Sequence, residues 1–156
     1  MRFMSATRRS IGAFALLSAV GWAGQAQAQF GAGTTWLRTD AQGKGIILSV
    51  EACCNGGLRL IWQIPSMGGQ PASTMTVDSP MNGAEAPALV GNKPTGETMA
   101  LKRVDDHHYS ATMKRNGQPL GTSNSTISAD NKTMTVESVY GIGGQTQKTI
   151  ETWVRK

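Results

Sequence analysis

The chain has 156 residues, and its 15 Lys and Arg against 10 Asp and Glu give a formal net charge of +5 at pH 7. Three of these basic residues lie in the first 28 positions, so 12 basic and 10 acidic residues remain beyond them, a net charge of only +2. Charges of both signs are interspersed there and no basic run is present, which argues against a nucleic-acid-binding protein.

The N-terminal segment has the three zones of a secretory signal peptide. The apolar stretch 11–22 is too short to span a bilayer. Residues 26–28 read Ala-Gln-Ala, a small-residue cleavage pattern. Ahead of the apolar stretch come three arginines and no acidic residue: Arg2, Arg8 and Arg9.

We therefore predict a signal peptide over residues 1–28, cleaved between Ala28 and Gln29, and a bacterial protein that is periplasmic or secreted. The Arg8-Arg9 pair also resembles a twin-arginine signal, so the general secretory route and the twin-arginine route both stay open. No cysteine directly follows the apolar stretch, and no later apolar run reaches membrane-spanning length. Neither a lipid anchor nor stable membrane insertion after processing is expected.

Residues 29–156 are predicted to form a single domain, long enough to bury about two-thirds of the surface that its unfolded chain exposes. The two cysteines of the chain, Cys53 and Cys54, are adjacent. Adjacent residues cannot join distant strands through a disulfide. The stability of the domain must therefore come from packing.

Alternation of apolar and polar residues with a period of two is the main structural signal. Its clearest unit is a hairpin over residues 44–65, where alternating segments flank an Asn-Gly-Gly sequence. A three-residue Asn-Gly-Gly loop pairs Trp62 with Val50 and keeps the large apolar groups on one side. This register directs Cys54 inward and Cys53 outward.

Further strands follow the same alternation between turn residues. They are predicted at 34–38, 74–77, 98–104, 108–115, 119–128, 133–140 and 147–155. About eight or nine short strands in this order predict an all-β, antiparallel up-and-down meander that forms a small barrel or a strongly curved sheet. The similar sequences around Trp36 and Trp153 either reflect ordinary β-propensity or place the first and last strands side by side, with both tryptophans inward.

Residues 78–97 interrupt this rhythm with three prolines and three glycines. We predict a long loop over this segment, in which residues 88–90 could form a short strand. A connection of this length is either a flap over the mouth of the barrel or a tolerated insertion.

Residues 101–106 (LKRVDD), the Asn116-Gly117 turn and residues 128–136 (SADNKTMTV) precede a Trp-Val-Arg-Lys end. This combination resembles a group of small exported bacterial β-proteins that are often described as hypothetical or lipocalin-like. The resemblance covers roughly residues 95–156, and Asn131 stands where the group usually has Gly. It implies a calycin-like barrel and assigns no catalytic residue.

Cys53 and Cys54 are the most unusual candidate site. Adjacent thiolates can bind a soft metal, form a vicinal disulfide or pair with another chain. Strand geometry sends neighbouring side chains to opposite faces, and no further Cys or His completes a metal-binding spacing. We favour a small inward residue and one exposed thiol, which still permits redox reactivity or an intermolecular disulfide.

Residues 105–108 (DDHH) group four potential ligands, but alternation separates neighbours, so ordinary turn chemistry is favoured over a metal site. A metal-assisted enzyme using His107 or His108 is the least favoured function, because no nucleophile motif accompanies them. Six scattered methionines indicate adaptable core filling rather than a copper site.

The favoured function is a non-catalytic binding module that holds a small apolar or amphipathic molecule between Trp36, Trp62 and Trp153 inside the barrel. The alternative is an envelope interaction or structural protein that uses an outer strand face, an edge or Cys53. No cofactor and no metal ion is expected in either case.

Overall fold

The computed structural model describes residues 30–156, except for the side chain of Ile142. This part of the chain contains ten strands. The predicted signal peptide and its cleavage point at Ala28 and Gln29 lie outside these residues. Within the same range there is no helix of the length and apolarity needed to cross a bilayer. The strands are β1 (Thr34–Arg38), β2 (Ile47–Cys53), β3 (Gly57–Ile64), β4 (Ser73–Ser79), β5 (Asn82–Val90), β6 (Lys93–Arg103), β7 (His108–Arg115), β8 (Gln118–Ile127), β9 (Thr133–Ile142) and β10 (Gln145–Arg155).

Each strand pairs antiparallel with its neighbours in the chain, and β1 pairs with β10 to close the barrel. The closing register sets Trp36 opposite Arg155 and Arg38 opposite Trp153. Trp36 and Trp153 are both buried in the core. The predicted antiparallel up-and-down barrel is confirmed, and the first and last strands lie side by side, as in one of the two alternatives that the sequence leaves open. The described chain has ten strands rather than the predicted eight or nine.

The predicted long loop over residues 78–97 is wrong, because β5 and β6 occupy most of this segment. Pro87 and Pro94 both lie within the β5–β6 ladder, whose register shifts beside Pro87. Proline lacks a backbone N–H and is tolerated in a sheet at such irregular positions. The chain reverses instead at tight turns that contain Met81, with a φ of 60°, and Asn92, with a φ of 65°.

The register predicted for the β2–β3 hairpin is also wrong, by two residues. Leu60 rather than Trp62 lies opposite Val50, and the strands end at the Cys53–Gly57 pair. Gly57 pairs with Cys53 in this ladder, and β4 also passes close to it: an added Cβ would be 2.3 Å from a backbone oxygen of β4. The three turn residues are therefore 54–56, all with positive φ. A shift of two residues leaves each side chain on its predicted face, but it places Cys54 in the exposed turn.

The two ends of the barrel differ. Phe30 covers the end at which β1 begins and β7 starts, and its ring centroid is 5.1 Å from that of Tyr109. We call this the Phe30 end. At the opposite end, residues 91–96 and 144–148 are exposed on both faces of their hairpins. Core packing against Phe30 and Tyr109 therefore closes one end, whereas the hairpin tips at the other end lie in solvent.

Candidate functional site

The interior of the barrel contains a cavity of about 250 Å³. Strands β2, β3, β4, β6 and β7 supply a mainly apolar wall that includes Leu48, Leu60, Trp62, Met75, Met99 and Leu101. The wall formed by β8, β9, β10 and β1 carries most of the polar groups, namely Ser123, Ser125, Ser138, Tyr140, Glu151 and Arg38. These four strands are consecutive around the barrel. The cavity therefore has an apolar side and a polar side.

The alternation of each strand explains this division. Ser123 and Ser125 on β8 are in phase with Ile127, which is 2% exposed and points into the core. On β10, Glu151 is in phase with the buried Trp153 in the same way. Short hydroxyl side chains and a carboxylate thus occupy positions that apolar residues take elsewhere in the barrel. The short serine side chains leave space inside the barrel, and the hydroxyl and carboxylate groups make that space polar.

Arg38, Asp40 and Glu151 form a charged cluster on the polar side, which we call the Arg38 cluster. Arg38 Nε lies 2.6 Å from Asp40 Oδ2, and Arg38 Nη1 lies 3.1 Å from Glu151 Oε1. The three side chains are only 13–19% exposed. The β1–β2 loop covers the guanidinium, because a Cβ added at Gly43 would meet it at 2.2–2.4 Å. The cluster is therefore largely withdrawn from water.

Charge and burial act in opposite directions on the two carboxyls of the Arg38 cluster. The hydrogen bond from Arg38 lowers the pKa of Asp40 from its ordinary value of 3.8 to about 2. Burial raises the pKa of Glu151, although the charge of Arg38 opposes this change. With both carboxyls ionised, the cluster carries one net negative charge. Glu151 is its acidic member on the cavity wall.

The three predicted ligand-contact tryptophans occupy two kinds of position. Trp62 and Trp153 line the cavity, and Trp153 Nε1 donates a hydrogen bond of 3.0 Å to Glu151 Oε2. Trp36 is fully buried, donates from Nε1 to Thr34 Oγ1 at 3.3 Å, and is not among the lining residues. Trp62 and Trp153 are thus placed to contact a bound molecule, whereas Trp36 packs within the core.

Cys53 and Cys54 are joined by a disulfide in the β2–β3 turn. The prediction of an inward Cys54 and a free outward thiol on Cys53 is therefore wrong. Cys54 has a φ of 44°, which takes it out of the strand alternation and brings its sulfur beside that of Cys53. Both sulfurs and a carboxylate oxygen of Asp78 lie within 4.8 Å of one another.

Residues 105–107 form the β6–β7 turn, and β7 begins at His108. Asp105 Oδ1 accepts hydrogen bonds of 2.8 Å from the backbone N–H groups of His107 and His108. These bonds, together with one to the His108 ring, lower the pKa of Asp105. Among residues 30–156, the only cluster of three potential metal ligands is the one at Cys53, Cys54 and Asp78, so the histidines are not part of one. Their arrangement is the turn chemistry that the sequence indicated.

The sequence prediction missed Arg38 and Glu151 as cavity residues. The alternation of the strand could have identified them. Glu151 lies two positions before Trp153 and therefore shares its inward face. Arg38 lies two positions after Trp36 and likewise shares its inward face. A charged residue in phase with an inward tryptophan indicates a polar group inside the barrel.

Comparison of the chain with protein-family models, with curated proteins and with solved structures finds no match in any of the three. The resemblance to lipocalin-like exported proteins therefore stays a prediction, and function must be argued from the cavity and its side chains.

Proposed function

We propose that the barrel is an exported, non-catalytic binding module for a small amphipathic molecule. The observation that carries this proposal is the interior cavity of about 250 Å³ with one apolar and one polar side. Ligand pockets for drug-sized molecules measure about 300–1,000 Å³. The bound molecule is correspondingly small, on the scale of a single ring or a short alkyl chain with one polar head.

The apolar wall is suited to the body of such a molecule. Met75 and Met99 are flexible and polarisable, so they adapt to apolar shapes that a stiff side chain would reject. Trp62 supplies a broad apolar surface on the same side. An apolar ligand group that enters this region leaves water and gains contacts with sulfur and aromatic atoms.

The polar wall defines the head group. Ser123, Ser138 and Tyr140 offer hydroxyls that both donate and accept hydrogen bonds. Glu151 offers carboxylate lone pairs, and the single cation Arg38 is already bound by two carboxylates. A head group that donates hydrogen bonds, such as an alcohol or an ammonium, suits this wall better than a carboxylate, which like-charge repulsion disfavours.

A fluorescence titration tests this proposal. Three compounds of equal chain length, an alkylamine, an alcohol and a fatty acid, are added to the processed protein while tryptophan emission is recorded. We expect saturable binding of the amine and the alcohol, and at least ten-fold weaker binding of the acid. A flat response to all three compounds would contradict the proposal.

A matched pair of variants shows whether binding takes place in the cavity. Ala111 lines the cavity, and Ala111→Leu fills part of it. Thr112 is the next residue on β7 and is exposed, so Thr112→Leu adds similar apolar bulk outside. Ala111→Leu should weaken binding at least ten-fold, whereas Thr112→Leu should bind as the wild type does. Equal binding by both variants would remove the cavity as the site.

Export is a separate part of the proposal, and it rests on the signal-peptide pattern of residues 1–28. Mass spectrometry of the protein from fractionated cells should find Gln29 as the N-terminus, in the periplasm or the medium. Replacing Arg8 and Arg9 with lysines separates the two routes, since only the twin-arginine route depends on this pair. An unprocessed chain in the cytoplasm would contradict the proposal.

A further inference from the structure

We propose that the β2–β3 turn is a redox-gated metal site, in which the reduced thiols of Cys53 and Cys54 bind a thiophilic cation such as Zn²⁺ together with the Asp78 carboxylate. This proposal is independent of ligand binding in the barrel, because the turn lies on the outer surface at the Phe30 end.

The local backbone makes this site geometrically feasible. Within a strand, Cys53 and Cys54 would point to opposite faces. The left-handed conformation of Cys54 ends the strand and turns both sulfurs to the same side. At Gly57, the missing side chain lets β4 approach the turn, since an added Cβ would meet the Ser79 carbonyl oxygen at 2.3 Å. This approach brings Asp78, the residue before Ser79, within reach of both sulfurs.

Asp78 is positioned as a ligand by Arg59. Arg59 Nε lies 2.7 Å from Asp78 Oδ1, and Arg59 Nη2 lies 2.8 Å from Oδ2. These two hydrogen bonds fix the orientation of the carboxylate beside the two sulfurs. Each carboxylate oxygen has a second lone pair beyond the one that Arg59 uses. The carboxylate can therefore keep its arginine partner while it coordinates a cation.

The oxidation state of the cysteines controls the number of ligands. In the disulfide, neither sulfur is a thiolate, and Asp78 alone is a poor site. Reduction supplies two soft thiolates beside a carboxylate, a set of three ligands that suits a thiophilic divalent cation, with water at the open fourth position of an exposed site. Two thiolates and one carboxylate together carry three negative charges, which attract a doubly charged cation.

The switching chemistry needs a dithiol reductant. One thiolate of the reductant attacks a sulfur of the Cys53–Cys54 bond and forms a mixed disulfide. The second thiolate of the reductant then attacks the reductant's own sulfur in the mixed disulfide and displaces the cysteine sulfur. The reductant leaves as a disulfide, and the protein is left as a dithiol. Binding of the cation releases the two thiol protons.

Zinc titration of one protein in two redox states tests the proposal without any substitution. The processed chain is divided, and one portion is reduced with a dithiol that is then removed by anaerobic gel filtration. Calorimetry with Zn²⁺ should give one binding event per reduced chain and at least 100-fold weaker binding to the oxidised chain. Cd²⁺ should produce an ultraviolet sulfur-to-metal charge-transfer band with the reduced chain alone. Equal binding in the two states would overturn the proposal.

Two variants define the ligands. Asp78→Asn should weaken Zn²⁺ binding to the reduced chain at least ten-fold, and Asp130→Asn, an exposed turn aspartate at the same end of the barrel, should leave it unchanged. Equal affinity in Asp78→Asn and wild type would remove Asp78 from the site. Circular dichroism verifies that each variant is folded, and blocking the thiols of the wild type with iodoacetamide should abolish binding without any substitution.

Discussion

Arg38 on β1 and Glu151 on β10 form an ion pair, 3.1 Å from Nη1 to Oε1, across the seam where the barrel closes. The backbone pairing at this seam is short, because the register runs only from Trp36 opposite Arg155 to Arg38 opposite Trp153. The Arg38 guanidinium also lies 6.0 Å from the ring centroid of Trp153, within the range of a cation–π contact. Side chains of the Arg38 cluster therefore reinforce a closure that few backbone hydrogen bonds secure.

Loss of the Arg38 charge should destabilise the barrel. Arg38→Met keeps much of the length of the side chain but leaves two largely buried carboxyls without a cation. Breaking a buried ion pair in this way costs about 3 kcal/mol, and urea denaturation should give that decrease in the free energy of unfolding. Adding Glu151→Gln to Arg38→Met should recover part of it, because one unpaired charge is removed.

The exposed pair of Arg103 and Asp106 provides the control for this comparison. Its side chains are 56% and 74% exposed, so Arg103→Met should cost less than about 1 kcal/mol. Similar costs for Arg38→Met and Arg103→Met would mean that the seam ion pair contributes no more than a surface pair.

Asp40 should make the barrel sensitive to acid. Its folded pKa of about 2 lies below the ordinary 3.8, so its ionised form stabilises the fold above about pH 4, and this contribution is lost as the pH falls towards 2. Asp40→Asn should therefore have a lower Tm than the wild type at neutral pH, with a difference that narrows between about pH 4 and pH 2. A difference that stays constant over this range would contradict the assignment.

Glycine, proline and turn residues mark the limit of what alternation predicts. The period of two identified the inward faces of β2 and β3 correctly, since those faces depend only on whether a residue number is odd or even. It could not predict that Gly57 joins the ladder, because a shift of two residues leaves every side chain on the same face. The prolines and glycines of residues 78–97 indicated a loop, because both residue types have a low propensity for strands. Propensity alone does not predict that a β-bulge will accommodate them.

The sequence predicted only part of the candidate site, again because alternation describes one strand at a time. Aromatic residues such as Trp62 and Trp153 are conspicuous on an inward face. Inward serines such as Ser123 and Ser125 look, in sequence, like the solvent-facing positions of any strand. Whether a face made of serines borders water or a cavity depends on the strands around the barrel, and alternation along one strand carries no such information.

Gly121 should be intolerant of a side chain, although its φ is ordinary. A Cβ there would lie 2.5 Å from the Val139 carbonyl oxygen and 2.8 Å from Cδ1 of Tyr140, which covers the glycine from β9. Gly121→Ala should therefore destabilise the barrel by about 1–3 kcal/mol through overpacking. Gly141 is the matched control, because a Cβ there meets nothing within 4 Å. Urea denaturation should find Gly141→Ala close to the wild type, and equal costs for the two variants would contradict the predicted contact.

Phe30 should hold Tyr109 away from water at its end of the barrel. The two rings lie 5.1 Å apart, and burial raises the pKa of Tyr109 above 10.0. Phe30→Ala should cost about 3 kcal/mol, the lower end for loss of a buried phenylalanine. It should also lower the pKa of Tyr109 towards 10.0, because the phenol gains access to water.

An ultraviolet titration of tyrosine ionisation measures this second effect, and far-ultraviolet circular dichroism at each pH verifies that the variant remains folded. The chain has one other tyrosine, Tyr140, so a Tyr140→Phe background isolates the signal of Tyr109. Phe30→Leu is the control, because leucine retains an apolar cover over the phenol and should leave the pKa of Tyr109 raised. A Tyr109 pKa that is the same in Phe30→Ala and in wild type would mean that the barrel wall, rather than Phe30, excludes water from the phenol.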